Sequence, residues 1–260
     1  MAHIEPGQEV WNKFWNQKKD LEKVYPSSPS VQKAILKNMN VQGLKILEVG
    51  AGTGRDSAEL ARRGAQVTVL DFAQGSLSIV GGLRKELGIE ENLQLVRGDA
   101  FAAPFVDGTF DLVFHQGLAE HFHDPLALIR ENFRIVKPGG YCLCDVPQTI
   151  HIYTLIKHAL ILLDKWFAGW ETQFTMGQLK DLMRSAGFDI HYAYGDWMRP
   201  NLMYRVLREI AFKAGIELPK YPLDGTIWQK TKDRILDALQ ENSLASYTQL
   251  SIGVIGKKPL

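Results

Sequence analysis

The amino-acid sequence predicts an α/β fold built on a doubly wound, mostly parallel sheet with helices on both faces. Short, continuous apolar segments alternate along the chain with segments of helical periodicity. Strands of a parallel sheet that is covered on both faces are typically apolar throughout in this way. The chain has 260 residues, of which 45% are hydrophobic, which is enough for one domain with a large core. We therefore predict a single domain over residues 1–260.

The first half of the sheet follows from five apolar runs and the helical patterns between them. We predict strands at 44–49, 66–70, 93–97, 110–114 and 140–145. Apolar residues recur at spacings of three and four between these runs, which indicates helices at 58–63, 76–87 and 125–136. The segment KPGG at 137–140 is expected to end the last of these helices, because proline and glycine interrupt helical structure.

The second half of the chain adds two strands and three regions outside this alternation. Thr175 is a candidate N-cap for a helix over 175–186, and strands are predicted at 188–194 and 247–256. Residues 1–40, 147–170 and 196–245 are also predicted to be helical. In an open sheet these regions would project near the carboxyl ends of the strands, where ligands bind.

Composition excludes several classes of protein. Thirty Lys and Arg residues oppose 29 Asp and Glu residues, so bulk electrostatic binding to nucleic acid is not expected. No apolar stretch reaches the roughly 18 residues of a membrane span, and the first ten residues lack a signal-peptide core. We therefore expect a cytoplasmic chain. Cys142 and Cys144 are too few for a zinc site and too poorly placed to bond each other.

The segment ILEVGAGTGRDS at 46–57 is a buried strand followed by a glycine-rich turn and a helix. Glycines at 50, 52 and 54 would let a ligand approach the backbone closely. A dinucleotide-binding G-x-G-x-x-G sequence that starts at Gly50 would place its third glycine at position 55, which is Arg55. The spacing therefore disfavours NAD, and no Gly-Lys-Ser/Thr follows that would indicate a phosphate loop. A tight strand-to-helix turn without a ligand is the alternative.

Two carboxylates follow the next two predicted strands. Asp71 lies 17 residues after Gly54, and Asp99 follows the third strand. An acidic residue at the tip of the second strand commonly holds a ribose diol. The combined pattern EVGAGTG, VTVLD, GDA-x-x-x-PF-x-DG-x-FDLV, HDP and VKPGG resembles class I S-adenosylmethionine-dependent methyltransferases, in particular the small-molecule, type 11-like subfamily. The resemblance covers 44–146 closely and 171–194 more loosely.

This resemblance implies a Rossmann-like sheet of seven strands with an antiparallel last strand, and S-adenosylmethionine as cofactor. The residues that carry the resemblance most closely make up the cofactor-binding core at 41–146. The remaining regions lie outside the resemblance, and from their helical patterns we predict an N-terminal helical lid at 1–40 and helical cap insertions at 147–170 and 196–245. The cofactor-binding residues would be Glu48, Gly50, Ala51, Gly52, Gly54, Asp71, Phe72, Asp99, Ala100, His115 and Gln116.

Each of these residues is expected to bind one part of the cofactor. Glu48 and the glycine turn would face the methionine moiety, together with His115 and Gln116. Asp71 would accept hydrogen bonds from both ribose hydroxyls, while Phe72 would pack on the adenine. Asp99 and the Ala100 amide would bind the adenine edge. The alternative for Asp71 and Asp99 is that they are ordinary loop carboxylates or helix caps.

His121 is the candidate catalytic residue. Methyl transfer needs alignment above all, but an oxygen or acidic-carbon acceptor must also lose a proton, and histidine suits this role near neutral pH. Members of the family commonly have a histidine at this point. The alternative is that His121 only hydrogen-bonds the loop backbone. Asp124 is expected to cap the helix that starts near Pro125. Since the fourth strand is not followed by clustered acidic residues, we assign no metal.

The helical regions outside the sheet predict a cap over the acceptor site. Trp11, Phe14 and Trp15 precede the first strand, and Trp197, Met198, Met203, Tyr204 and Trp228 lie in the 196–245 insertion. A roof of such residues fits a small hydrophobic or aromatic acceptor. Core packing, a homodimer interface and a peripheral membrane contact of 152–167 stay open as alternatives. We predict a methyltransferase that acts on a small molecule; a catalytically silent S-adenosylmethionine-binding protein or a nucleotide-binding oxidoreductase are the rival interpretations.

Overall fold

The computed structural model describes residues 8–17, 29–163, 171–197, 200, 202–219, 221, 226–239 and 245–260. Its strands are β1 (Lys45–Val49), β2 (Gln66–Asp71), β3 (Leu93–Arg97), β4 (Phe110–Gln116), β5 (Val136–Pro147), β6 (Asp189–Asp196) and β7 (Ser251–Lys257). The α-helices are α1 (Gln8–Gln17), α2 (Ser30–Asn38), α3 (Arg55–Arg62), α4 (Gln74–Leu87), α5 (Pro125–Ile135), α6 (Ile152–Leu162), α7 (Met176–Ser185), α8 (Leu202–Lys213) and α9 (Ile227–Leu239).

The seven strands form one sheet in the order β3-β2-β1-β4-β5-β7-β6. Strands β1 to β5 pair in parallel with one another, whereas β7 runs antiparallel to both β5 and β6. The predicted fold class is therefore confirmed, including the direction of the last strand.

Side chains that alternate along each strand supply two separate cores. On β1, Ile46 points to the core under α2, α3 and α4, while Leu47 and Val49 point to the core under α5 and α7. Leu112 and Val113 on β4 divide in the same way. This alternation is the period of two that a strand imposes. Because both faces are covered, every strand interior must be apolar, which explains the continuous apolar runs.

Several element boundaries differ from the predictions. The KPGG segment does not separate a helix from a strand, because β5 already begins at Val136 and contains it. The β4–β5 register is irregular between Phe110 and Leu112, and an irregular strand start is where a proline is tolerated. In addition, Ala245–Thr248 forms a 3-10 turn rather than the beginning of the last strand.

Helix α7 begins as predicted. The Thr175 hydroxyl accepts a hydrogen bond from the Gln178 amide, and the Gln178 side chain accepts one from the Thr175 amide. This reciprocal pair is a capping box, which satisfies two amides at the helix start. Asp124 likewise caps α5 by accepting from the Ala127 amide.

The insertions at 147–170 and 196–245 contain helices α6, α8 and α9. On α8, the apolar side chains of Met203, Val206, Leu207 and Ile210 are each at least half accessible, whereas Ala211 on the same face is partly buried. Met198 of the predicted roof and residues 164–167 of the predicted membrane contact lie outside the described residues. Within the described ranges, the helices are too short or too polar to span a lipid bilayer.

Candidate active site

A cavity of about 370 Å³ lies at the carboxyl ends of the central strands. Strand β1 has β2 on one side and β4 on the other, so successive connections run to opposite halves of the sheet. In open α/β sheets this reversal leaves a crevice, which is the usual place for a ligand. The volume also falls in the range of about 300 to 1,000 Å³ that small-molecule sites occupy.

The glycine turn after β1 lines this cavity with backbone. Gly50, Gly52 and Gly54 have φ angles of +67°, +55° and +65°, which residues with a Cβ rarely adopt. A Cβ at Gly50 would lie 2.9 Å from the side chain of Leu118, and one at Gly52 would lie 2.9 Å from the indole of Trp15. The turn thus requires glycine for its conformation and for the close approach of its neighbours.

Asp71 ends β2 and faces the cavity, as predicted from the sequence. The Ala73 amide donates to its Oδ1 at 2.8 Å, and the Ser76 hydroxyl donates to its Oδ2 at 2.8 Å. Burial raises the pKa of Asp71, and these hydrogen bonds lower it. A carboxylate has about four acceptor positions, so one that is held in this way is able to bind further hydroxyl donors.

The three residues predicted for the adenine lie together on the cavity wall. Phe72 is half-buried there, beside Asp99 and Ala100. The Asp99 carboxylate is exposed, and its Oδ1 accepts a hydrogen bond from the Phe101 amide at 2.9 Å. This local bond orients the carboxylate and fixes the turn after β3. The geometry is compatible both with an adenine contact and with the loop role that is its alternative.

A buried acidic group lies between the glycine turn and the sheet. The Ser57 hydroxyl donates to Glu48 Oε2, and Gln32 Nε2 donates to Asp56 Oδ1 at 2.6 Å. Burial, reinforced by the charge of Asp56, raises the pKa of Glu48 well above its usual range. Burial also raises the pKa of Asp56 to about 6. Both carboxyl groups line the cavity, so a cationic ligand group there would stabilise their ionised forms.

Gln116 lies within β4 rather than after it, which corrects the predicted end of this strand. Its side chain lines the cavity, and Nε2 donates to Asp145 Oδ1 at 3.3 Å. The Tyr194 hydroxyl donates to Asp145 Oδ2 at 2.9 Å. Burial raises the pKa of Asp145 to about 7 despite these two hydrogen bonds. Gln116 thereby connects the cavity to a polar cluster inside the core.

The structure does not bring the side chain of His115 to the cavity. His115 also lies within β4, next to Gln116, and adjacent residues of a strand point to opposite faces. Its ring is completely buried, and burial lowers its pKa to about 4. Within the described parts of the chain, neither ring nitrogen has a hydrogen-bond partner. Gly54 is also missing from the described lining, and a Cβ at this position would lie 2.7 Å from the side chain of Val80 on α4.

His121 lines the cavity from the 3-10 turn Ala119–His121. Burial lowers the pKa of its imidazole to about 4, so the ring is neutral at pH 7. The ring also forms a hydrogen bond to the backbone of Gly117. Nδ1 is buried and has no partner among the residues that the structure describes. A neutral imidazole with an uncommitted nitrogen is the form that accepts a proton.

Helix α1 covers the cavity with aromatic side chains. The ring of Trp11 lies 4.8 Å from the ring of His121 in an edge-to-face arrangement, and Trp11 and Trp15 both line the cavity. Phe14 packs edge to face against each of them, with ring centroids 5.8 Å and 4.9 Å apart. By contrast, none of the described residues of α6, α8 and α9 lines the cavity. The described roof therefore comes from the N-terminal helix.

Several residues of the site were not predicted. Arg55, Asp56, Leu118, Phe101 and Phe122 line the cavity, and Glu120 lies buried beside His121. Arg55 and Asp56 directly follow the glycine turn in the sequence, and this position beside a predicted binding turn indicates that they line the same site. In the part of the chain that is described, no cluster of three His, Cys, Asp or Glu side chains is suited to a metal ion.

Comparison with known proteins gives a consistent result at the level of sequence. A family model described as "Methyltransferase domain" matches residues 47–144. The ubiquinone biosynthesis O-methyltransferase of Pseudomonas fluorescens strain Pf0-1 is 30% identical over 139 residues, which are 54% of this chain and 60% of that protein. The protein of the same name from strain SBW25 is 30% identical over 226 residues, which are 80% of this chain and 97% of that protein. The first match spans less than two thirds of the relative, and the second spans nearly all of it.

The fold is also found in solved structures. One from Thermotoga maritima, described as a SAM-dependent methyltransferase and possible histamine N-methyltransferase, has a TM-score of 0.64 and covers 97% of this chain and 100% of that one. Its sequence is 15% identical, so this likeness shows the fold alone.

The pKa of Asp145 predicts how stability depends on pH. Its value in the folded protein, about 7, exceeds the usual 3.8, so the folded state binds more protons than the unfolded state between these values. The stability that this group contributes is complete below pH 3.8 and is lost as pH rises through 7. The wild type should therefore lose this contribution between pH 4 and pH 7.5, whereas Asp145→Asn has no ionisable group there to lose it. The free energy of unfolding of the variant should accordingly rise relative to that of the wild type over this range. Urea unfolding across this range measures it. The buried histidines titrate in both proteins, so their contributions cancel in the difference between the two free energies. A difference that does not change with pH would contradict the raised pKa of Asp145.

Proposed function

This chain belongs to the class I S-adenosylmethionine-dependent methyltransferases, and on that premise we propose that it methylates a hydroxyl oxygen of a small, hydrophobic aromatic molecule. One observation carries the proposal: a single cavity joins the glycine turn and Asp71 to the neutral imidazole of His121. The first two fit a nucleoside with a charged tail, and the third fits an acceptor that must lose a proton.

The residues that line the cavity support S-adenosylmethionine as its cofactor. The turn at Gly50 and Gly52 carries no Cβ, which permits close approach to its backbone amides. Asp71 would hold the ribose hydroxyls, and Phe72 with Asp99 would contact the adenine. Glu48 and Gln116 would face the methionine moiety. When bound, the cofactor supplies the electrophilic methyl group of its sulfonium.

The acceptor class rests on the walls of the cavity near His121. Trp11, Leu118 and Phe122 line this end, and Phe122 stacks edge to face on Phe101 at 4.6 Å. Such walls favour a planar, apolar molecule. The curated relatives named above are ubiquinone biosynthesis O-methyltransferases, which supports an oxygen acceptor. A phenol that carries an apolar substituent combines both properties.

His121 would act as the general base. Its neutral form is available throughout the physiological range because burial lowers its pKa to about 4. Nδ1 would take the phenolic proton as the oxygen bonds to the methyl group. Helix α1 would exclude water from this end of the cavity, since Trp11 lies directly against the imidazole.

The assignment of Asp71 predicts a loss of cofactor affinity. Asp71→Ala removes the acceptor for two hydroxyls, and Asp71→Asn removes its charge while keeping its shape. We expect the Kd of S-adenosylhomocysteine to rise about ten- to a hundredfold in Asp71→Ala, since a hydrogen bond to a charged group is worth about 1.5 to 3 kcal/mol. Isothermal titration calorimetry measures this, with the exposed Asp181→Ala on α7 as the control. Equal affinity in all four proteins would refute the assignment, as would tight binding of NAD.

The role of His121 predicts a selective loss of rate. His121→Asn should lower kcat at least about a hundredfold with alkyl-substituted catechols, because general base catalysis typically contributes that much or more. The Kd of S-adenosylhomocysteine should change little. Phenols acidic enough to be ionised at the assay pH should lose much less rate, because they need no base. A uniform loss across the whole panel of phenols would count against His121 as the base.

The lid role of α1 predicts ligand-dependent protection. Amide hydrogens of residues 8–17 should exchange quickly in the free protein and more slowly with S-adenosylhomocysteine bound, while β1 and β4 stay protected in both states. Trp11→Ala should raise the KM for the phenol more than the Kd of S-adenosylhomocysteine, and exposed Lys13→Ala should leave both unchanged. Slow exchange of residues 8–17 without ligand would show that this helix is permanent core or an interface instead.

A further inference from the structure

Glu120 is a buried carboxyl group that the proposed mechanism does not use. It precedes His121 in the 3-10 turn, and only 4% of its surface is exposed. Its Oε1 lies 4.0 Å from Nε2 of His121. Its Oε2 is buried without a hydrogen-bond partner among the described residues. An unpartnered carboxyl oxygen in a protein interior is costly, so its presence here calls for a functional explanation.

The two ring nitrogens of His121 have different surroundings. Nε2 is the nitrogen near Glu120, and the ring is also hydrogen-bonded to the backbone of Gly117. Nδ1 lacks a partner in the described part of the chain. This arrangement favours the tautomer that carries its proton on Nε2, because the acceptor groups lie on that side. Nδ1 is then left with a lone pair.

Two further charged side chains lie near Glu120. Lys157 on α6 forms a buried ion pair with Glu171. The segment that follows is joined to the 3-10 turn, because the Thr172 amide donates to the Glu120 carbonyl at 2.6 Å and the Thr172 hydroxyl donates to the Phe122 carbonyl at 2.8 Å. Helix α6 therefore supplies the ammonium, and the segment that starts at Glu171 supplies the carboxylate, both outside the described lining of the cavity.

We propose that Glu120 is a positioning residue for His121, which orients the imidazole with Nδ1 as the base and balances the positive charge that the ring gains during the reaction. The inference rests on the proposed function, because it assumes that His121 accepts the proton. In the step itself, the acceptor oxygen forms a bond to the methyl carbon and releases its proton to Nδ1, while the electrons of the broken carbon–sulfur bond stay on sulfur. The imidazolium that results lies next to the Glu120 carboxylate.

The charges around Glu120 determine when it is ionised. Burial and the charge of Glu171 raise its pKa to about 8, Lys157 lowers it, and Asp145 on β5 raises it further. Cys144, also on β5, has its own pKa raised well above 9 by burial and stays protonated. Only the ionised carboxylate stabilises an imidazolium. The rate with a phenol that must lose its proton should therefore rise with pH up to about 8.

Three variants test this inference through the pH profile of kcat. Glu120→Gln should lower kcat about tenfold or more at pH 8 with alkyl-substituted catechols and should abolish the rise with pH. The Kd of S-adenosylhomocysteine should stay unchanged. Glu171→Gln should move the rise to lower pH, and Lys157→Gln should move it to higher pH. A residue that only supports the fold would not produce shifts in opposite directions. Glu131→Gln on α5 is the matched carboxyl control outside the cavity.

A spectroscopic measurement covers the case in which a variant does not fold. In the wild-type protein saturated with S-adenosylhomocysteine, the ¹⁵N shifts of His121 should report the Nε2–H tautomer near pH 7 and a second titration step near pH 8 as Glu120 ionises. The opposite tautomer, or the absence of that step, overturns the inference without any variant. An unchanged pH profile in Glu120→Gln overturns it as well.

The same experiments separate this inference from the proposed function. If His121→Asn retains the wild-type rate, the general base of the proposed function is refuted, and Glu120 has no base to position. If His121→Asn is slow but Glu120→Gln behaves like the wild type, only the role of Glu120 is refuted.

Discussion

The pairing of β1 with two parallel neighbours is the constraint on which the rest of the structure depends. Five consecutive residues of β1 are in register with β2, and three are in register with β4. The strand is thereby fixed at the centre of the sheet, and the Gly50 amide extends the ladder by donating to the Leu70 carbonyl at 2.8 Å. This last bond sets where the chain must turn. The glycine turn, the ends of β2 and β4 and the cavity between them follow from it.

Desolvation controls the protonation of the ionisable side chains in the site. Glu48, Asp56, Asp71, Glu120 and Asp145 all have raised pKa values, and burial is the largest cause in each case. His121 shows the converse, since burial favours its neutral form. A protein pays for such burial in stability, and groups of this kind concentrate where charge is bound or protons are moved. Because burial is the shared cause, the side chains with shifted pKa values that are named here lie together at one end of the sheet.

The parts of the chain outside the sheet contribute unequally to the site. Helix α1 brings Trp11 and Trp15 to the cavity, and α6 places the charge of Lys157 near His121, outside the cavity lining. The described residues of α8 and α9 do neither, and they present exposed apolar side chains such as Ile227 and Trp228. The cap that the sequence predicts for 196–245 thus stays a prediction.

The sequence by itself determined the sheet, the glycine turn and the positions of Asp71 and Asp99, because each depends on local chemistry: apolar runs, glycine at positive φ and a polar residue at a strand end. The same local information did not assign Gln116 to β4, since strand ends depend on pairing with β5. It also did not separate His115 from His121, two histidines six residues apart.

Only the tertiary structure decided that His115 is packed in the core while His121 lines the cavity, because the face of a side chain depends on strand register. The surroundings of His121 come from distant parts of the chain: Trp11 from α1, Lys157 from α6 and Glu171 from the segment before α7. Contacts of this kind have no local pattern in the sequence. They form only when folding brings remote segments together and removes the water between them.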